Sequence, residues 1–474
     1  MTNGSRLGVD RAADWKQNPL TRLTTCRHAP ERMLVQQAVI LCGGKGTRLA
    51  ERGGELPKPM FLLDGRPVLD HIISNLAKAG IRRFLLAAGF RGEVVAQYYA
   101  ATRHPDCRIE VVIEPEPAGT AGALRGCADR LEDDFVLAYG DVFLDFDARR
   151  LIAAHETRRP LGTLLVRASD HPWDSHLVVA DEDGRVLEFV TRRAPGRLYR
   201  NVANAAVHVV SRRLLDFVPA AGPADLGADV FPAAITRGET LGIHFLEEEG
   251  FVKDMGTPER LASVEEYLAD RALAEAARAR PQPVETVFLD RDGVLTVDSG
   301  FVDWPEKLEL LPGVVEAMAL LQRRGIRCVV TTNQSIVARG LCTMAMLEAI
   351  HDRLRAMIAA GGGKIDAIYA CPHHPETHHG EGVPELRRAC RCRKPAPGLL
   401  FRACRELGLN LAASIMVGDQ ASDLRAGRAA GIRTVLVGEP GHRKKVLKVA
   451  APDTEFDSLL AFVQAAIENG IIRQ

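Results

Sequence analysis

The chain has 474 residues, enough for two or three domains of ordinary size. Its 61 basic and 61 acidic residues cancel, so no excess charge attracts nucleic acid or an anionic membrane, and an anionic ligand must be held by local groups. No run approaches the ~20 apolar residues of a spanning helix, and the first thirty-odd residues lack the apolar core of a secretory signal, which predicts a cytoplasmic protein.

Residues 1–33 mix polar and charged types without a period and read as a disordered extension, with Met33 a second candidate start. From Gln37 onward, β-rich apolar runs alternate with segments of helical period, which predicts βα units and a largely parallel sheet. The first run ends in the glycine-rich turn containing Gly43, Gly44, Gly46, Thr47 and Arg48. Such a turn lets main-chain N–H groups approach phosphates closely. Lys58, in a Pro-Lys-Pro segment, adds a second cation. Further along, Gly119 and Thr120 lie in EPEPAGTAGAL, and Asp141 follows a strand-like run. LVVADEDGRVLEFV predicts a hairpin, an antiparallel addition that carries Glu188. Asn204 and Asp254 complete the candidates in this half. Asp141 and Asp254 alone would be ordinary strand-end and turn aspartates.

The run from Pro258 to Arg280 is rich in helix formers and stops at Pro281-Gln-Pro283. It reads as linker, packing element or assembly contact, the last giving a homo-oligomer. The βα pattern then restarts. Asp290 and Asp292 end its first strand at i and i+2, which extended geometry turns toward one side. Thr332, Asn333 and Gln334 end the next strand, Arg393 and Lys394 lie in a loop, and Gly418-Asp419 follows a fourth apolar run, with Asp423 one helical turn on. The ten cysteines are uneven, with three between Cys371 and Cys392. Cys371-Pro-His373 and Cys390-Arg-Cys392 supply three thiolates and one imidazole, a tetrahedral set for zinc with no vacancy for water. Zinc there is structural, shaping the loop that carries Lys394. His374, His378 and His379 read better as loop histidines.

The four ordered motifs over 284–440 resemble those of the haloacid dehalogenase superfamily. The resemblance implies Asp290 as nucleophile toward phosphorus and Asp292 as the acid that protonates the leaving oxygen and later activates water. It also implies magnesium on Asp290, Asp419 and the main-chain oxygen of Asp292, with Thr332 and Lys394 offsetting phosphoryl charge. The Asp290–Thr332 interval leaves no room for a cap, predicting an open site. With its cysteine loop, this half resembles the zinc-containing phosphatases of D-glycero-D-manno-heptose 1,7-bisphosphate, relatives of histidinol-phosphate phosphatase. It departs from them at Ile336, Phe301 and Gln420.

Residues to about 265 resemble the sugar-1-phosphate nucleotidyltransferases, whose members most like this chain make GDP-heptose. That implies Arg48, Lys58 and magnesium on Asp141 and Asp254 holding a nucleoside triphosphate, with guanosine as the base. Gly43, Gly44, Gly46, Thr47, Gly119, Thr120, Glu188 and Asn204 would contact nucleotide or sugar. Ala206 stands where the family frequently has Gly, and Arg192 where many have Lys. The expected architecture is therefore α/β in two domains. A Rossmann-like nucleotidyltransferase (34–265) with an antiparallel addition is followed by a helical linker (266–283) and a capless Rossmannoid phosphatase with a zinc loop (284–474). The phosphatase would remove the C7 phosphate of a heptose bisphosphate, and the transferase would activate the remaining C1 phosphate. Two alternatives are a hexose-1-phosphate transferase fused to a phosphatase of other specificity, and a nucleotide-sensing module on a phosphatase.

Overall fold

A computed structural model describes residues 34–44, 56–102, 104, 106–375 and 382–472. The extension 1–33, the turn residues Gly46, Thr47 and Arg48, and His378 and His379 lie outside them. The chain forms two compact units. One holds the described residues up to Arg167, His176–Pro195 and Val202–Pro258. The other holds Ala168–Ser175, Gly196–Asn201 and everything from Glu259 onward.

In the first unit the apolar runs become a nine-stranded mixed sheet. Gln37–Leu41 lies between Arg83–Ala88 and Asp134–Tyr139, all parallel, and Arg108–Ile113 extends that side. All five residues of Gln37–Leu41 are buried, as a strand covered on both faces requires. The hairpin forms as expected, Leu177–Ala180 pairing antiparallel with Val186–Val190. The long strand Ala203–Ser211 runs antiparallel to both Asp134–Tyr139 and Gly162–Arg167, so the antiparallel portion exceeds the hairpin alone.

Within that strand the register shifts between Asn204 and His208, and Ala206 takes φ +57°. An L-residue pays about 1–2 kcal/mol for this left-handed conformation. Ala206→Gly is expected to stabilise the first unit by about 0.5–1 kcal/mol, the relief being partly offset by glycine's larger unfolded-state entropy. Chemical denaturation midpoints check it.

The second unit is built on a six-stranded sheet, in order Ala367–Cys371, Arg327–Asn333, Thr286–Leu289, Ser414–Gly418, Arg433–Val437 and Thr454–Phe456, every pair parallel. Helix Met344–Ala360 covers one face through Leu347, Ile350, Leu354 and Ile358, a spacing that puts one stripe toward the sheet. Thr343 caps it by accepting from Met346 N at 3.1 Å. Helix Pro258–Ala279 buries Ala274 and Ala277 against Phe288, Leu400 and Met416. Its Asp270, 2% exposed, is paired with both Arg391 and Arg405, so the helix is a packing element of this unit. Between Asp290 and Thr332 stand a loop, the helix Val314–Arg323 and a strand, with no inserted cap domain among the described residues. Nor is any helix of the described residues long and apolar enough to cross a membrane.

Candidate active sites

Three strand ends and one loop of the second unit bring its motifs together. Asp290 closes the central strand, its N–H still donating to Val417 O at 3.1 Å. Gly293 then turns the chain at φ +79°, where a Cβ would lie 2.4 Å from Asp419 Oδ2, so only glycine lets this loop pass the carboxylate. Asp290, Asp419 and Asp423 each offer an oxygen within 4.8 Å of the others, and all three are buried. Lys394, 2% exposed, reaches Asp290 Oδ1 at 2.9 Å and Asp423 Oδ1 at 2.6 Å, and donates to Thr331 O at 2.7 Å. Asn333 locks this lysine in place, exchanging hydrogen bonds of 2.9 and 3.0 Å with the Lys394 main chain. Arg393 Nη1 donates to His373 O at 3.4 Å.

The electrostatics follow from three carboxylates sharing one buried point. Burial, opposed by Lys394 and reinforced by Asp423 and Asp292, pushes Asp290 up to about 7. Burial, with Asp423 and Asp290, pushes Asp419 up to about 8. For Lys394, burial acts to lower the pKa, but Asp290 and Asp423 outweigh it and hold the ammonium above its ordinary value. Asp419 Oδ1 is buried without a hydrogen-bond partner. Hard oxygen donors, an orphaned carboxylate oxygen and net negative charge fit magnesium. Because the folded pKa values are raised, the metal-free fold is favoured by protonation, and its stability falls as pH rises from about 4 toward 8. A divalent ion competes with those protons. The thermal shift produced by Mg2+ is therefore expected to grow between pH 5.5 and 8, and a shift that shrinks with pH contradicts this electrostatic account.

The Asp292 carboxylate is not part of this cluster. Its side-chain oxygens are turned to Arg291, Thr296 and Gln334, and the third carboxylate at the metal point is Asp423. Magnesium contact through the Asp292 main-chain oxygen remains a proposal. Asp423 was visible in the sequence only as a residue one turn beyond Asp419. In the fold it also closes a capping box, accepting from Gln420 N at 2.9 Å.

The cysteine loop converges as well. Sγ atoms of Cys371, Cys390 and Cys392 lie 3.2–3.5 Å apart, with His373 Nδ1 at 3.7 Å from Cys371 Sγ and 3.3 Å from Cys392 Sγ. A tetrahedron of zinc ligands at about 2.3 Å has edges of about 3.8 Å, so the four donors need only spread slightly to hold the ion.

In the first unit, the ends of the strands Gln37–Leu41 and Asp134–Tyr139 meet the Lys58 segment. A Cβ on Gly140 would lie 3.0 Å from Leu41 O and 3.1 Å from both Cys42 Sγ and Pro59 Cγ. Lys58 Nζ stands 3.4 Å from Asp141 Oδ2. Pairing of Phe251–Asp254 with Val142–Asp145 carries Asp254 to this place, with Met255 N donating to Asp141 O at 3.0 Å. Gly43 lies by Glu114, and Gly44 has open space where a Cβ would be. Gly119 has φ +74°, its Cβ position only 2.4 Å from Ala224 O. The Thr120 hydroxyl donates to Asp225 Oδ2 at 2.9 Å and accepts from Leu226 N at 2.8 Å, so it fastens the segment that carries Asp225. Asn204 Oδ1 accepts from Ala206 N at 3.1 Å, bracing the strained bulge. Glu188 is half-buried in the hairpin.

The arrangement in the second unit is a cluster of buried carboxylates and one lysine at the strand ends, with a place for a divalent ion. Comparison with known proteins agrees. A nucleotidyl transferase model matches residues 37–271, and a HAD-hydrolase-like model matches residues 391–462. The D-glycero-β-D-manno-heptose-1,7-bisphosphate 7-phosphatase of Yersinia pestis is 38% identical over 178 residues, which are 38% of this chain and 93% of that protein. A crystal structure of the D,D-heptose 1,7-bisphosphate phosphatase from B. bronchiseptica with magnesium and phosphate is 35% identical, covering 39% of this chain and 99% of that one, at TM-score 0.35. The structure of HddC from Yersinia pseudotuberculosis is 22% identical over 49% of this chain and 100% of that one, at TM-score 0.43. The chain belongs to the haloacid dehalogenase-like phosphatases through its second unit, joined to a nucleotidyl transferase domain in its first.

Proposed function

We propose that the protein hydrolyses the C7 phosphate of D-glycero-D-manno-heptose 1,7-bisphosphate and then transfers GMP from GTP to the C1 phosphate, releasing pyrophosphate. The observation that carries the substrate assignment is the 38% identity spanning 93% of a heptose 7-phosphatase. The fusion supports the second step, since the first leaves the sugar 1-phosphate that a nucleotidyl transferase consumes. Guanosine rests on the resemblance of the amino-terminal motifs to enzymes that make GDP-heptose.

Asp290 attacks phosphorus, forming an aspartyl-phosphate as the bond to the sugar oxygen breaks. Asp292 gives that oxygen its proton and then accepts one from the water that cleaves the intermediate. Lys394, held by Asn333, places positive charge beside the transferring phosphoryl group, and the Thr332 hydroxyl binds a phosphoryl oxygen. Asp290, Asp419 and Asp423 would hold magnesium, which would supply the charge neutralisation that lets an anion approach a carboxylate. Cys371, His373, Cys390 and Cys392 would hold zinc, which would fix the loop leading into Lys394. In the transferase, Lys58 and Arg48 hold the triphosphate, and Asp141 and Asp254 hold its magnesium, so that the already anionic sugar phosphate attacks in line.

Screening the four nucleoside triphosphates against heptose and hexose phosphates tests the assignment. Magnesium-dependent phosphate release from the heptose bisphosphate, followed by pyrophosphate release with GTP, is expected. Turnover of hexose phosphates alone overturns it.

A further inference from the structure

The phosphatase reading gives Asp292 two opposite tasks, and its surroundings determine how it moves between them. Both of its oxygens are fully engaged as acceptors. Oδ1 accepts from Arg291 Nε at 2.9 Å and shares the Thr296 hydroxyl, 3.1 Å away, with Arg291 O at 3.2 Å, while Oδ2 accepts from Arg291 Nη2 at 2.9 Å and Gln334 Nε2 at 2.8 Å. Arg291, Thr296 and Gln334 are 1%, 0% and 5% exposed, so solvent does not substitute for these donors. These hydrogen bonds fix the orientation of the carboxylate. As the acid of the first step it must itself carry a proton, and one donor must then turn away.

Gln334 is placed to be that donor. Its Nε2 also donates to Thr332 Oγ1 at 2.8 Å, while its Oε1 accepts from Arg291 Nη2 at 3.0 Å. Because the Thr332 oxygen is already an acceptor from Gln334, its hydroxyl hydrogen is free to point toward a phosphoryl oxygen. One amide therefore orients both the group that binds the phosphate and the group that handles the proton.

We infer that Gln334, backed by Arg291, is a positioning residue that ties phosphate binding at Thr332 to the proton-transfer geometry of Asp292. The inference rests on the phosphatase reading. In the first step the Asp290 O–P bond forms, the P–O bond to the sugar breaks, and the Asp292 proton moves to the departing oxygen. In the second, water oxygen bonds phosphorus, the Asp290 O–P bond breaks, and Asp292 receives the water proton. Loss of the Gln334 amide donor disturbs the proton transfer most where the leaving group most needs it.

The test compares kcat/KM on heptose 1,7-bisphosphate, whose sugar alkoxide must be protonated to leave, with p-nitrophenyl phosphate, whose leaving group departs without help. Gln334→Met removes every polar bond at nearly constant length, and Gln334→Glu keeps the shape and the acceptor to Arg291. In both, kcat/KM on the sugar substrate is expected to fall about 100-fold and on the aryl substrate less than about 10-fold, with the melting temperature near wild type. An equal fall on both substrates, or none on the sugar, overturns the inference. Asp290→Asn run alongside keeps the two claims separate. Its loss of activity on both substrates upholds the phosphatase reading whatever Gln334 does, whereas full activity removes both.

Discussion

Asp290→Asn is expected to lose phosphatase activity by roughly 10⁴-fold or more, as removal of a covalent nucleophile does elsewhere. The protein should fold as before, because Lys394 keeps its 2.6 Å partner Asp423 when Asp290 becomes neutral. In the absence of magnesium its melting temperature should match or exceed wild type, since one of three buried carboxylates has been neutralised. Loss of turnover without loss of fold separates a chemical role from a structural one. Pyrophosphate release by the first unit should be unchanged. Phosphate release and thermal melting on the same preparation check both halves of this expectation.

Removal of the zinc proposed for the cysteine loop has the second largest expected effect. Cys390 and Cys392 lie on the segment that leads into Lys394, and Cys371 ends a strand of the sheet. Without the ion, three buried or half-buried sulfurs within 3.5 Å of one another have nothing to hold them in place. Structural zinc sites contribute directly to folding, so a loss on the order of 3–5 kcal/mol is expected, lowering the melting temperature by roughly 10 °C. Arg391, between two of the donors, is also bound to Asp270, so the helix Pro258–Ala279 should exchange its amides faster after chelation. Metal analysis, melting with and without chelator, and the Cys392→Ser variant check the expectation. A protein purified without zinc that is indifferent to chelation contradicts it.

Much of this was legible in the sequence for definite reasons. Alternation of buried β-rich runs with helical periods marks βα units, because a parallel sheet is covered on both faces, and the second unit follows that pattern throughout. In the first unit, the Asp-Glu-Asp-Gly turn marked the hairpin. The antiparallel strand Ala203–Ser211 was not legible, because its neighbours Asp134–Tyr139 and Gly162–Arg167 lie far from it in sequence.

At the phosphatase site, residue types and their order singled out Asp290, Thr332, Lys394 and Asp419 as candidates, since strand ends are where a parallel sheet exposes its loops. The Asp292 carboxylate is held by Arg291, Thr296 and Gln334, partners that no spacing in the sequence marks. Gln334 stood in the quoted Thr-Asn-Gln run without a role, because a hydrogen-bond network among buried side chains leaves no periodic mark on a sequence. Thr120 and Asn204 have the same lesson, their polar groups being engaged with Asp225 and Ala206.

The most direct test of the coupled reading follows both phosphorus atoms of heptose 1,7-bisphosphate by ³¹P NMR. With magnesium the C7 resonance should convert to inorganic phosphate while the C1 resonance persists. Adding GTP should then convert the C1 signal into a diphosphate pair as pyrophosphate accumulates. Loss of the C1 phosphate first, or a C1 signal that no nucleoside triphosphate alters, would contradict the account.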